Sequence, residues 1–244
     1  MTQTPESPAP EAPDCRVVEL RQYTLHPGQR DVLIELFDRE FVESQEAVGM
    51  RVLGQFRDLD DPDRFVWLRG FADMAARGDA LPAFYGGPVW AAHRNTANPT
   101  MIDSDNVLLL RPAWEGAALQ APAQSRAERG ATALPPGVLS AAVLYLREPP
   151  GAQLLDLCRS TVSQRLAEAG ARGMGWYATE ASPNNFPPLP VREVEHVLLG
   201  LAMFDAVSGC DIWQSDLEPL LRPWLARPAE SLRLAPTARS ALHA

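Results

Sequence analysis

The chain contains no lysine; all 22 basic residues are arginine. That excludes a Schiff-base lysine and the phosphate-binding lysine of a P-loop. Cysteine is scarce as well. Cys15, Cys158 and Cys210 lie far apart and form no Cys-x-x-Cys pair, so neither a zinc site nor a disulfide framework is expected. They read as thiols of a reducing cytosol, which makes the expected location cytoplasmic. Positive charge is in deficit. A net charge of −9 argues against a nucleic-acid or anionic-membrane partner, because both are polyanions. No run approaches the roughly 18 apolar residues of a membrane helix. The only imidazoles are His26, His93, His196 and His243, and no two stand at metal-ligand spacing. No metal and no cofactor is expected. Gly86-Gly87-Pro88 breaks a helix and does not form a phosphate loop.

What the chain does have is one pattern written twice. Val17–Thr24 alternates as a strand, with Val18, Leu20 and Gln22 on one face and Glu19, Arg21 and Tyr23 on the other. Pro27-Gly28 turns the chain into a helix over 29–47, whose apolar stripe is Val32, Leu33, Leu36, Phe37 and Phe41. Gly49 ends it. Strands over 51–57 and 64–71 flank the hairpin loop 58–63. Asp73 is a candidate N-cap for a short helix over 74–80. A second helical piece over 89–95 follows, and a strand over 106–112 closes the unit. Strand 138–147, the turn Pro149-Pro150-Gly151 and a helix from Gln153 then restart the order. Strands over 173–180 and 194–204, a helix over 212–225 and a strand over 231–235 complete it. The repeat predicts an α+β chain of two similar half-barrels, with antiparallel four-stranded sheets and a cavity between them. The expected division is a disordered tail at 1–14, a first domain at 15–113, a linker at 114–136, a second domain at 137–236 and a tail at 237–244. With 46 % hydrophobic residues, both domains have enough apolar material for a core.

The stretch Val18-Glu19-Leu20-Arg21-Gln22-Tyr23-Thr24-Leu25-His26-Pro27-Gly28 resembles the N-terminal signature of the NIPSNAP family. Trp67-Leu68-Arg69-Gly70-Phe71-Ala72-Asp73-Met74-Ala75-Ala76-Arg77 resembles its third strand running into the second helix, and Val107-Leu108-Leu109-Leu110-Arg111-Pro112 its closing strand. The loop Ser182-Pro183-Asn184-Asn185-Phe186-Pro187-Pro188-Leu189-Pro190 resembles one of bacterial two-domain members. The second unit departs from the pattern: Ala141, Ala142, Val143 and Leu144 stand where Glu-x-Arg-x-Tyr would be. The resemblance implies two tandem ferredoxin-like domains of the dimeric α/β-barrel type. Relatives of that fold include cofactor-free monooxygenases and isomerases, and fold alone transfers neither activity.

The candidate ligand-binding residues are Glu19, Arg21, Tyr23, Trp67 and Arg69, together with Asn185 and Phe186 of the loop 181–191, which is either a lid or a solvent-exposed hairpin loop. Val18 and Leu20 suit the helical side, which would turn Glu19, Arg21 and Tyr23 into the barrel. There they form either an anchor for a carboxylate, phenolate or quinone oxygen or a structural ion pair between the halves. Tyr23 and His196 are the candidate catalytic residues, for handling a proton. The leading expectation is a small hydrophobic or aromatic metabolite bound in the barrel, with cofactor-independent oxygenation or isomerisation as the reaction if it is an enzyme. The alternative is a non-catalytic interaction or assembly module. Whether the halves close within one chain or between the two chains of a homodimer stays open.

Overall fold

β1 (Val17–Leu25) forms over the predicted alternating run and sits at the centre of the first sheet, between β3 (Arg64–Phe71) and β4 (Met101–Pro112). The computed structural model describes residues 15–120 and 126–244; the predicted tail at 1–14 and positions 121–125 of the linker lie outside them. After β1 come helix α1 (residues 30–46), β2 (Arg51–Asp58), β3, helices α2 (Met74–Tyr85) and α3 (Pro88–Ala97), and β4. The second half repeats the order as β5 (Val138–Leu146), α4 (residues 152–168), β6 (Gly173–Thr179), β7 (His196–Phe204), helical turns between 207 and 224, and β8 (Glu230–Pro236). Both α1 and α4 contain a π turn at matching places, Phe37–Phe41 and Cys158–Val162. All eight strands pair antiparallel in the order β1-β3-β2-β8-β5-β7-β6-β4, a closed barrel. The halves meet at β2–β8 and β4–β6, each with a short register such as Arg57 opposite Ala235 and Arg111 opposite Ala178.

Among the described residues, the interior of this barrel is packed with apolar side chains. Val18, Leu20, Val66, Leu68, Leu108 and Leu110 from the first half pack there against Leu139, Val143, Leu199, Leu201, Leu232 and Leu234 from the second. Glu19, Arg21 and Tyr23 therefore face outward, beneath the helices, the reverse of the expected orientation. The reason is that both faces of β1 are buried. Alternation tells which residues share a face, and when both faces are covered it does not tell which face is inside.

Other boundaries shift for local reasons. α2 runs on to Tyr85 through Pro82 instead of stopping near Ala80, and α3 begins on Pro88, whose missing N–H costs nothing at a first helical position. β4 starts at Met101, and its early part pairs with the end of β1 across a bulge. β7 starts at His196, since Val194 is 94 % exposed. The helix expected over 212–225 forms over 212–221, with a π turn at Trp213–Leu217, and tightens into a 3-10 turn at Arg222–Trp224. The predicted tail at 237–244 packs instead: Leu242 and Leu119 of the linker both join the barrel core. Arg239 donates to the Asp38 carbonyl and to Glu43, fastening this segment to α1. Among the described residues no helix is long and apolar enough to cross a membrane.

The outer face of the second half is closed by tryptophan. Trp176 and Trp213 meet edge to face at 5.8 Å over Gly200. A Cβ at Gly200 would lie 2.5 Å from Cη2 of Trp213 and 2.9 Å from Cζ3 of Trp176. Gly200→Ala is expected to destabilise the protein by about 1–3 kcal/mol through overpacking, read as a lower urea midpoint. An unchanged midpoint would mean that this packing is looser than the structure indicates.

Candidate functional site

The outer face of the first half is built differently. β1 carries Glu19, Arg21 and Tyr23, β3 carries Trp67 and Arg69, and α2 lays Arg77 over them. Glu19 is wholly buried and binds three arginines. Its Oε2 accepts from Arg21 Nη1 at 2.8 Å and Arg69 Nε at 2.7 Å, and its Oε1 accepts from Arg77 Nε at 2.7 Å. All three guanidiniums are 0–1 % exposed. Burial by itself would raise the Glu19 pKa, but Arg69, Arg21 and Arg77 outweigh it and hold the carboxyl well below the usual range. Among the described residues no second carboxylate pairs with these arginines. The cluster therefore keeps two uncompensated positive charges.

The arginines pass this polarity on to two phenols. Arg21 Nε donates to Tyr23 Oη at 3.0 Å, and Arg69 Nη1 approaches Tyr85 Oη at 3.4 Å and Gln45 Oε1 at 3.2 Å. Both phenol oxygens thus act as acceptors toward arginine, and each keeps its own hydrogen to give elsewhere. Burial pushes the Tyr23 phenol up against the pull of Arg21, so it stays protonated at neutral pH. Trp67 Nε1 is buried and has no partner. Tyr23, Tyr85, Trp67 and Gln45 line one cavity of about 30 Å³ with Phe37, Phe41, Phe84, Trp90 and Met101. That space suits one or two waters, so anything larger is admitted only when the wall moves. The π turn puts Phe37 and Phe41 on the same wall, with Phe37 4.8 Å from the Trp67 ring.

The loop 181–191 of the second half covers this site. Asn184 and Asn185 each accept from Arg77 Nη1 through Oδ1, at 3.0 and 2.5 Å. Asn185 Nδ2 donates to the Met74 carbonyl. Phe186 stacks on Tyr85 with centroids 6.0 Å apart and planes at 22°. Of the residues singled out from the sequence, Glu19, Arg21, Tyr23, Trp67, Arg69, Asn185 and Phe186 come together here. His196 does not; it is exposed at the start of β7, on the outer side of the other half. His93 lies at the rim, 3.8 Å from Glu40. Sequence reasoning missed Arg77, Tyr85, Gln45 and Trp90. The signal for Arg77 was the Asp73 cap, which accepts from the Ala76 N–H at 2.8 Å and sets the phase of α2.

Gly78 fixes how closely the loop sits, since a Cβ there would lie 2.8 Å from Asn185 Nδ2. Gly78→Ala improves helix propensity by about 1 kcal/mol while pushing Asn185 away. The expected outcome is unchanged or higher thermal stability with faster amide exchange in residues 184–189. Unchanged exchange there would show that the loop does not depend on this contact.

Among the described residues the equivalent place in the second half has no such cluster, so the described chain is an antiparallel α/β barrel with a polar, aromatic-walled site on its first half. Residues 18–114 match the NIPSNAP family, and this half of the chain is a NIPSNAP domain. The whole fold is similar to a candidate monooxygenase from Lactobacillus acidophilus NCFM, at TM-score 0.59 and 11 % identity, covering 93 % of this chain and 97 % of that one. It is also similar to a candidate monooxygenase from Fusobacterium nucleatum subsp. nucleatum, at TM-score 0.58 and 7 % identity over 91 % and 92 % of the two chains. An anthrone oxidase-like protein aligns at TM-score 0.56 and 13 % identity over 95 % and 97 %. At these identities the likeness is one of fold. No curated protein matches the chain.

Proposed function

We propose that this protein binds a small hydrophobic or aromatic metabolite between the sheet and helices of its first half, and that the reaction best suited to the site is cofactor-independent oxygenation. The observation that carries this reading is the aromatic cavity faced by two phenols, each polarised from behind by a buried arginine. Such donors hold a carbonyl or phenolic oxygen and stabilise negative charge as it develops there. In cofactor-independent oxygenation the electron-rich substrate itself reduces dioxygen, which leaves the protein to orient it, hold its oxygen and exclude water. The names of the fold neighbours, monooxygenase and anthrone oxidase-like, lie in the same class of chemistry. Isomerisation of an activated ketone needs the same oxygen-holding donors and is the second reading, with Tyr23 handling the proton.

The reading includes an architecture: two fused ferredoxin-like domains, 15–113 and 137–236, closing within one chain the barrel that two chains would otherwise make. It also includes a cytoplasmic location and no required homodimer. The rival is a non-catalytic assembly module in which the Glu19 cluster only fixes geometry. Native mass spectrometry of protein purified gently from its own source discriminates. A small-molecule adduct released on denaturation supports the pocket. A bare mass, together with no oxygen uptake on any of a panel of anthrones, naphthols and hydroquinones, favours the rival.

A further inference from the structure

The Glu19 cluster carries an electrostatic imbalance that ligand identity can resolve. Three buried guanidiniums share one carboxylate, and none has another anionic partner among the described residues. Nη2 of Arg69, Nη2 of Arg77 and Nε1 of Trp67 are buried donors with no acceptor. Buried charge without compensation and buried donors without acceptors are both costly. The cost falls when an anion arrives. Three residues with O–H or N–H donors, Tyr23, Tyr85 and Trp67, line the cavity, and no carboxylate lines it. Its remaining wall is apolar, with Phe37, Phe41, Phe84 and Trp90 beside Leu33, Ala97 and Met101. Gln45 is partly engaged: its Oε1 already receives Arg69 and its Nε2 donates to the Phe41 carbonyl, which leaves one lone pair and one amide hydrogen.

We infer that the species bound at this site is an anion, an oxyanion carried on a flat aromatic body, and that the site discriminates against the neutral isostere. The inference rests on the small-molecule pocket proposed above and narrows its ligand to one charge state. The oxygen sits toward Tyr23, Tyr85 and Trp67, with the guanidiniums of Arg21 and Arg69 behind the phenols. The ring lies among the aromatic side chains. Two sources share this chemistry: a carboxylate, and the ionised form of a phenol or enol. The second also follows from the field, since two nearby uncompensated positive charges stabilise an ionised hydroxyl and lower its pKa.

The test uses the intact wild-type chain and three probes. 2-Naphthoate and its neutral isostere 2-naphthamide are titrated calorimetrically at pH 7, and 4-nitrophenol is titrated with pH by visible absorbance with and without protein. The expected result is an anion preference of about tenfold or more, the scale of a charge-assisted hydrogen bond over a neutral one. Naphthoate binding that much tighter than naphthamide points to the carboxylate source. Nitrophenol bound as the coloured phenolate at a pH where the free compound is neutral points to the phenol or enol source. Naphthamide binding as well as naphthoate, with nitrophenol ionising as it does in water, overturns the inference and leaves the aromatic pocket standing. Failure of every probe to bind overturns both.

Discussion

Glu19→Ala is expected to lower the melting temperature by about 10 °C or more. The substitution strips the one shared anion from Arg21, Arg69 and Arg77 and leaves three like charges packed under α2. Removing one partner of a buried ion pair costs about 3–5 kcal/mol, and here one carboxylate serves three partners. A domain's whole stability is about 5–15 kcal/mol. A loss of this size lowers the melting temperature of a chain this long by about 10 °C or more. The measurement is thermal and urea unfolding of whatever soluble protein is recovered. A well-folded Glu19→Ala variant melting within a few degrees of wild type would show that the arginines find water or other acceptors, and that the charge imbalance does not exist.

The same carboxylate sets an acid limit. Its folded pKa lies below its unfolded value of about 4.3, so the unfolded state binds its proton first as pH falls. The stability that Glu19 contributes is complete above that unfolded value and is lost as pH drops below it, toward the folded pKa. The urea midpoint of the wild type should therefore fall steeply below about pH 4. Glu19→Gln, if it folds at reduced stability, should show a shallower slope there.

The second large effect is on binding. Tyr23→Phe and Tyr85→Phe each remove one hydroxyl from the cavity and little else, because the rings remain among Phe65, Trp67 and Trp90. A hydrogen bond to a charged oxygen contributes about 1.5–3 kcal/mol. Each single variant should weaken 2-naphthoate about tenfold or more, and the double variant about a hundredfold or more. Melting temperature should change little for Tyr85→Phe. It should change more for Tyr23→Phe, where Arg21 Nε loses its acceptor. Calorimetric titration of all three variants decides the matter. Affinity that ignores both hydroxyls would place the ligand elsewhere and return the phenols to a structural role.

The repeat was legible because its punctuation is strong. Pro27-Gly28 and Pro150-Gly151 each turn a strand into an amphipathic helix, and the elements follow in the expected order. The matching π turns were not legible, since a single wider turn leaves no trace in a helical stripe. The face assignment failed for a stated physical reason: a strand buried on both sides offers period two without polarity. The site was half legible. Glu19, Arg21 and Tyr23 share a strand face by simple alternation, and Trp67 and Arg69 share theirs. Tyr85 was lost because the helix was expected only over 74–80, whereas α2 continues through Pro82 to Tyr85. Arg77 was lost because only the folded chain brings residue 77 to residues 19 and 184. The proline-rich loop stood out in the sequence as either a lid or an exposed hairpin loop, and its contact with Arg77 of the other half was not foreseeable.

That cover belongs to the half whose own outer face is plugged by Trp176 and Trp213. In a symmetric pair of identical subunits, every change to one copy appears in both. A loop reshaped to reach across would arrive twice, and a pocket filled in one copy would be filled in its mate. A single chain whose two halves differ in sequence is free of that constraint. One half can keep its cleft while the other gives up its cleft and becomes a dedicated arm, so binding stoichiometry should be one ligand per polypeptide. The interval between the halves is also an engineering handle. Replacing the 181–191 arm would retune access to the cleft without altering a single residue of the NIPSNAP domain beneath it.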